Sequence, residues 1–151
     1  MDFPFPIMLL VTLVASLGFA LFFNVNKRRI IPATLGGVFT WAIYYVLSLY
    51  IEGVFIPVVI ASIFAAVFAE TMSRITHTPV TGFFIISVIP LIPGRALYYT
   101  MYYAFRKDIE VSFSHASEAI ITSLGIAVGL LISMTLWGIW RQARNRHKKS
   151  V

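Results

Sequence analysis

Cysteine is absent from this sequence and charge is scarce. Of 151 residues only 12% are charged, where a soluble domain carries about a quarter. The missing cysteine excludes disulfides, thiol chemistry and Cys-ligated zinc. The low charge excludes a soluble enzyme and a disordered chain, and with no cysteine a secreted disulfide scaffold is excluded too. Acidic residues are the rarer sign: six Asp and Glu stand against twelve Lys and Arg, a net charge of +6. Such an excess often marks a nucleic-acid binder. Here the charges are too few and cluster at the ends of apolar runs, so no nucleic-acid partner is expected. No Ser-His-Asp order, H-E-x-x-H or Walker sequence occurs, and His77, His115 and His147 lack metal-ligand spacing. Neither an enzyme, a cofactor nor a metal is therefore expected. What the sequence does hold is apolar: 59% hydrophobic residues and a mean hydropathy of +0.86. The class that remains is an all-α integral membrane protein.

A bilayer core about 30 Å thick takes roughly 20 apolar helical residues to cross. Five runs qualify, at about residues 5–23, 30–50, 54–74, 79–105 and 119–140. The first is an uncleaved span rather than a signal peptide, because Asp2 replaces a basic leader and two prolines precede the apolar core. The connecting segments are too short to fold separately, so residues 1–140 form one transmembrane domain, followed by a basic tail at 141–151. The runs are continuous rather than alternating, which argues against an outer-membrane barrel.

The loop charges give the orientation. Lys27, Arg28, Arg29, Arg74, Arg141, Arg144, Arg146, Lys148 and Lys149 collect on one side of a five-span arrangement; only Arg106 and Lys107 collect on the other. The positive-inside rule then puts the N-terminus outside and the C-terminus in the cytoplasm. A four-span chain, with residues 78–105 as a re-entrant hairpin, would strand the basic tail outside. Trp137 and Trp140 fit an aromatic belt at the cytoplasmic edge. Tyr98, Tyr99, Tyr102 and Tyr103 fit one at the outer edge, which accounts for them without ligand contact.

The fourth span carries the most informative chemistry. Proline has no amide hydrogen, and its ring clashes with the carbonyl four residues back. Pro90 and Pro93 thus disturb the bonds to Ile86 and Ile89, and Gly94 adds freedom there. A broken helix survives in a bilayer only inside protein or beside a wet cavity, and transporters use such breaks to bind solutes and ions. The outer half-helix would begin near Gly94, where free amides and the positive dipole end favour an anion. Arg95 adds a permanent charge and a planar fork that fits a carboxylate. Pro90, Pro93, Gly94 and Arg95 are therefore the candidate site for a small carboxylate substrate. The competing reading is a simple kink, with Arg95 satisfying freed carbonyls or snorkelling outward. It lies roughly 24 Å along a helix entering near Pro79.

Glu70 is the only acidic residue deep in an apolar run, which makes it a candidate for proton coupling or a polar pathway. Its alternative is an i,i+4 pair with Arg74 at the inner interface. Gly125 and Gly129 form a G-x-x-x-G row, and Ala61, Ala65 and Ala69 a second row of small residues. Such rows let helix backbones approach closely, within the chain or against a second copy of it as a homo-oligomer. The basic tail is a topology anchor on anionic lipid.

Several stretches resemble the threonine/serine exporter family, in its small membrane subunit of the YjjB type. They are Gly18-Phe19-Ala20-Leu21-Phe22-Phe23-Asn24-Val25 with basic residues after it, Leu35-Gly36-Gly37, and Phe68-Ala69-Glu70 with Pro79 nine residues later. The most distinctive is Ile89-Pro90-Leu91-Ile92-Pro93-Gly94, followed by Leu97-Tyr98. The resemblance covers nearly the whole chain. It implies a multi-pass inner-membrane exporter of threonine, serine or related small carboxylates, driven by the proton gradient. It also implies a larger, multi-span partner subunit, because single-chain members join a larger N-terminal half to a C-terminal half like this one.

Two functional classes stand against each other. One is a subunit of a secondary transporter; the other is a non-transporting membrane scaffold or assembly protein packed through its small residues. The broken fourth span favours transport, whereas a charge and kink turned to lipid would favour the scaffold. The topology is directly testable, since the chain offers a cysteine-free background. A cysteine placed at Glu52 should react with an impermeant thiol reagent from outside, and one at Ser150 should not. Labelling at Ser150 in intact cells would contradict five crossings.

Overall fold

The computed structural model describes residues 4–149, with side chains through residue 139. The side chains of Trp140 and of the basic tail lie outside the described residues. Every regular element is helical: α1 (Phe5–Phe22), α2 (Ile30–Tyr50), α3 (Phe55–Thr76), α4 (Val80–Val88), α5 (Gly94–Phe105) and α6 (Ile109–Lys149), with 3-10 turns at Lys27–Arg29 and Ile89–Leu91. Four segments, α1, α2 with its leading turn, α3 and α6, are each long and apolar enough to cross a membrane. Val80–Leu91 and Gly94–Phe105, bent by 48° at the break between them, make a fifth if the pair is one broken span rather than a re-entrant loop.

Local chemistry sets the boundaries. Pro6 sits in the first turn of α1, where its missing amide has no intrahelical partner to lose. That helix ends when Asn24 turns left-handed at φ 51°, and the amides of Asn24 and Val25 reach back to Leu21 and Ala20. The Asn26 side chain then accepts the Arg28 amide and opens the turn into α2. Gly53, at φ 87°, reverses the chain between α2 and α3. His77, at φ 49°, closes α3, and the Ser73 hydroxyl donates to the Thr78 carbonyl across that corner. Asp108 starts α6 by accepting the Val111 amide, with Glu110 favourably placed in the first turn.

α6 is longer than the fifth apolar run. It begins at Ile109, ahead of the expected start near 119, and continues to Lys149. Its 41 residues measure roughly 60 Å, about twice a bilayer core. The length is used by two partners in turn. Near its start, Ser112 donates to the Thr100 carbonyl of α5, and His115 packs against both Tyr99 and Tyr103. Farther along, Gly125, Gly129 and Ser133 pack against α3. α1, α2, α3 and α4 form the rest of the bundle around Ala20, Ala33, Ala69, Phe83 and Ile86. The main packing partner of α5 is α6, so the bend hands the chain from one helical group to the other.

The α3–α6 contact depends on glycine. A Cβ at Gly129 would lie 2.6 Å from the Val59 carbonyl and 2.7 Å from Ser62 Cβ; one at Gly125 would meet Val58 at 3.1 Å. Around a Cβ at Gly138 there is open space. Ala61, Ala65 and Ala69 are fully buried along α3, and Ala69 belongs to the α1–α4 core. Gly129→Ala should thus destabilise the fold by about 1–3 kcal/mol, because backbone must move to admit the methyl. Gly125→Ala should cost less. Gly138→Ala should be neutral or stabilising, through its gain of helix propensity. Thermal unfolding in detergent checks that ranking.

Candidate functional site

The break in the fourth span lies where sequence reasoning put it. α4 and its 3-10 turn carry the chain roughly 20 Å from Pro79 before Ile92 turns extended. That rise is shorter than a hydrocarbon core of about 30 Å. The Ile92 amide bonds back to Ile89 and the Leu97 amide to Pro93, so α5 starts afresh at Gly94. The break has two sides. Leu91 and Ala96 are buried in the protein, while Ile92, Gly94 and Arg95 are exposed. The Arg95 guanidinium lies 5.8 Å from the Tyr99 ring. Tyr99 in turn belongs to a ladder with Tyr98, Tyr102 and Tyr103, so the arginine rests on an aromatic surface on its own helix.

Glu70 is elsewhere. It lines a cavity of about 320 Å³ between α3, α4 and α6, with Ala66, Thr81, Phe84, Ser133 and Trp137. Its carboxylate is 3.9 Å from the Arg74 guanidinium, which also lies 4.7 Å over the Trp137 ring. The i,i+4 pair anticipated from spacing is therefore present. The two side chains are 35% and 44% exposed, so their attraction is largely screened. Glu70 stands near the end of α3 that adjoins the His77 corner, and Arg95 lies beyond the break. The structure keeps these two candidates apart, as their depths along the sequence indicated.

A third constellation was not anticipated. The hydroxyls of Ser16, Thr34 and Ser87 are buried and have no hydrogen-bond partner among the described residues. Other helical hydroxyls here bond back one turn: Thr12 to Met8, Thr40 to Gly36, Ser62 to Val58. An unsatisfied buried hydroxyl costs about 1–3 kcal/mol. Ser87 of α4 meets Gly36 and Ser16 of α1 meets Gly37, while Thr34 lies on α2 itself. A Cβ at Gly36 would strike the Ser87 hydroxyl and come within 2.6 Å of Phe68. One at Gly37 would strike the Ser16 hydroxyl and come within 3.0 Å of the Ile86 carbonyl oxygen. The Leu35-Gly36-Gly37 stretch was the available signal; spacing along one helix does not tell which residues of α1 and α4 come to meet it.

A family model described as Threonine/Serine exporter, ThrE, matches residues 8–136 of this chain. That stretch takes in the Gly36–Gly37 crossing, Glu70, the break at Pro90–Gly94, Arg95 and both packing glycines. No curated protein matches. No solved structure matches.

Proposed function

This chain belongs to the threonine/serine exporter family, and from that premise we propose that it is one subunit of a secondary transporter exporting small carboxylate-bearing solutes. Threonine, serine and related organic acids are the substrate class. The observation that carries the reading is the two-sided break. Its buried side is held by the protein, but Ile92, Gly94 and Arg95 face outward. Hydrocarbon cannot solvate an interrupted backbone or a guanidinium. A larger, multi-span subunit covering this face would bury both and enclose a wet site. In that site the Arg95 and Ala96 amides in the first turn of α5 and the Arg95 fork would hold the substrate carboxylate, the Gly94 amide being bonded to the Ile92 carbonyl. Pro90 and Pro93 keep those groups free by preventing one continuous helix.

Glu70 is proposed as the proton-coupling group. Its cavity combines one carboxylate with mostly apolar walls, and its pair with Arg74 is loose enough to exchange partners. The proposed orientation remains N-terminus outside, in the cytoplasmic membrane, with Glu70 towards the cytoplasm and Arg95 towards the outer side.

Efflux from preloaded cells at matched membrane expression tests the assignment. Arg95→Ala should lower export about tenfold or more, the loss expected when a charge-assisted hydrogen bond of about 1.5–3 kcal/mol disappears. Arg95→Lys should lower it less, keeping charge but losing the planar fork. Pro93→Ala should impair export by restoring helix across the break. Glu70→Gln should leave stability within about 1 kcal/mol and uncouple export from the proton gradient. Normal export by Arg95→Ala would make the arginine a snorkelling anchor and remove the carboxylate site.

A further inference from the structure

We propose that the corner between α1 and α2, beside the start of α4, binds the headgroup phosphate of one anionic phospholipid. Arg29 is its inner ligand, with Lys27 and Arg28 at its rim.

Charge and shape converge there. The Asn26 side chain accepts the Arg28 amide, which fixes three consecutive cations in one 3-10 turn. Like charges held together repel unless an anion joins them. No Asp or Glu occurs in residues 3–51 or 71–107, which supply both loops of this corner. Neither ion pair formed among the described residues includes Lys27, Arg28 or Arg29. The turn leads directly into α2, whose positive dipole end adds to the same field. Asn24, Asn26 and Arg29 from this loop share a cavity of about 220 Å³ with Thr78 from the loop before α4, and Phe23 and Phe83 form part of its wall. Arg29 is half-buried, whereas Lys27 and Arg28 are exposed. A second hollow, of about 470 Å³, shares Asn24 and Asn26 with the first and is lined by Lys27 and Arg28. All three cations therefore line adjoining spaces. Gly82 also lines the first cavity, and a Cβ there would meet only Val25, at 3.9 Å.

The ligand class follows from the donors. A guanidinium fork matches a phosphate with two parallel hydrogen bonds, and side-chain amides and a hydroxyl can donate to its remaining oxygens. The source follows from the position. This corner ends α1 and opens α2, both long and apolar enough to cross a membrane, so it lies at the level of the headgroups. Phe22 and Phe23, 79% and 47% exposed beside it, offer a surface along which acyl chains can run. A free phosphate gains nothing from that apolar surface, whereas a diester carrying chains does. Basic pockets between membrane helices hold anionic headgroups in this manner. The first cavity is below the about 300–1,000 Å³ of a pocket for a drug-sized ligand, which suits a headgroup better than a nucleotide. The site is separate from Arg95 and Glu70 and does not depend on what the protein exports.

Thermal unfolding of the full-length chain in neutral detergent tests the proposal, with phosphatidylglycerol, phosphatidylcholine or inorganic phosphate added at equal concentration and ionic strength. Phosphatidylglycerol should raise Tm saturably, by about 3 °C or more over phosphatidylcholine, and inorganic phosphate should not. Arg29→Gln should lose most of that increment, and Arg29→Lys less of it, keeping charge without the fork. Gly82→Leu should lose it too, because the new side chain fills the cavity while every charge stays in place. Lys148→Gln removes the same charge from the basic tail and should keep the increment. Native mass spectrometry of the wild-type chain should retain one phosphatidylglycerol in preference to phosphatidylcholine, a readout that needs no variant to fold. Equal Tm values in the two lipids, no preferential retention, or an increment that survives both Arg29→Gln and Gly82→Leu would overturn the proposal. So would an increment lost equally in Lys148→Gln, the mark of diffuse charge attraction. An equal rise in inorganic phosphate would overturn the assignment to lipid.

Discussion

A helix broken inside a bilayer constrains everything around it. Water is not there to take up the backbone groups that a break frees, so the chain must satisfy them itself: the Ile92 amide bonds to the Ile89 carbonyl and the Gly94 amide to the Ile92 carbonyl. The architecture follows from that demand. α4 is packed among α1, α2 and α3, and α5 is carried by α6. The first turns of α6, ahead of its apolar run, are the part that carries α5. The one face of the break that the chain leaves open carries Arg95. The proposed assembly would cover that face.

Close packing without a hydrophobic drive is the second element. Lipid is as apolar as a leucine, so helices in a membrane gain by approaching more closely than side chains ordinarily permit. Gly129 puts α6 against the backbone of α3, and Gly36 and Gly37 put serines from two other helices against α2. In the first contact the gain is van der Waals packing, with Ser133 donating across to the Ile63 carbonyl. In the second, polarity is concentrated where no protein partner meets it. Glycine thus serves close packing at both crossings, and at the second the serine hydroxyls it admits have no partner among the described residues.

Much of this was legible along the chain. Hydropathy located the spans, and the chemistry of proline located the break to within a residue or two. The i,i+4 spacing of Glu70 and Arg74 anticipated their pairing. The start of α6 was missed because Glu110, Ser112, Ser114, His115 and Glu118 dilute the hydropathy of its first turns; the helix forms there because Asp108 caps it and α5 covers it. Where Arg95 points was also hidden, since a residue number gives depth along a helix but not rotation about it. The hydroxyl crossing was invisible for a different reason. Ser16, Thr34 and Ser87 look alike with every other back-bonding hydroxyl until three helices are superposed in space.

The central claim is that the open face of the break is completed by a second, larger subunit, and that transport needs both. Reconstitution measures this most directly: purified chain in liposomes loaded with threonine or serine, with an imposed proton gradient, alone and together with the larger subunit. The account predicts substrate release only when both are present. Full release from the chain alone would contradict it, because the exposed face of the break and Arg95 would then work without a partner to cover them.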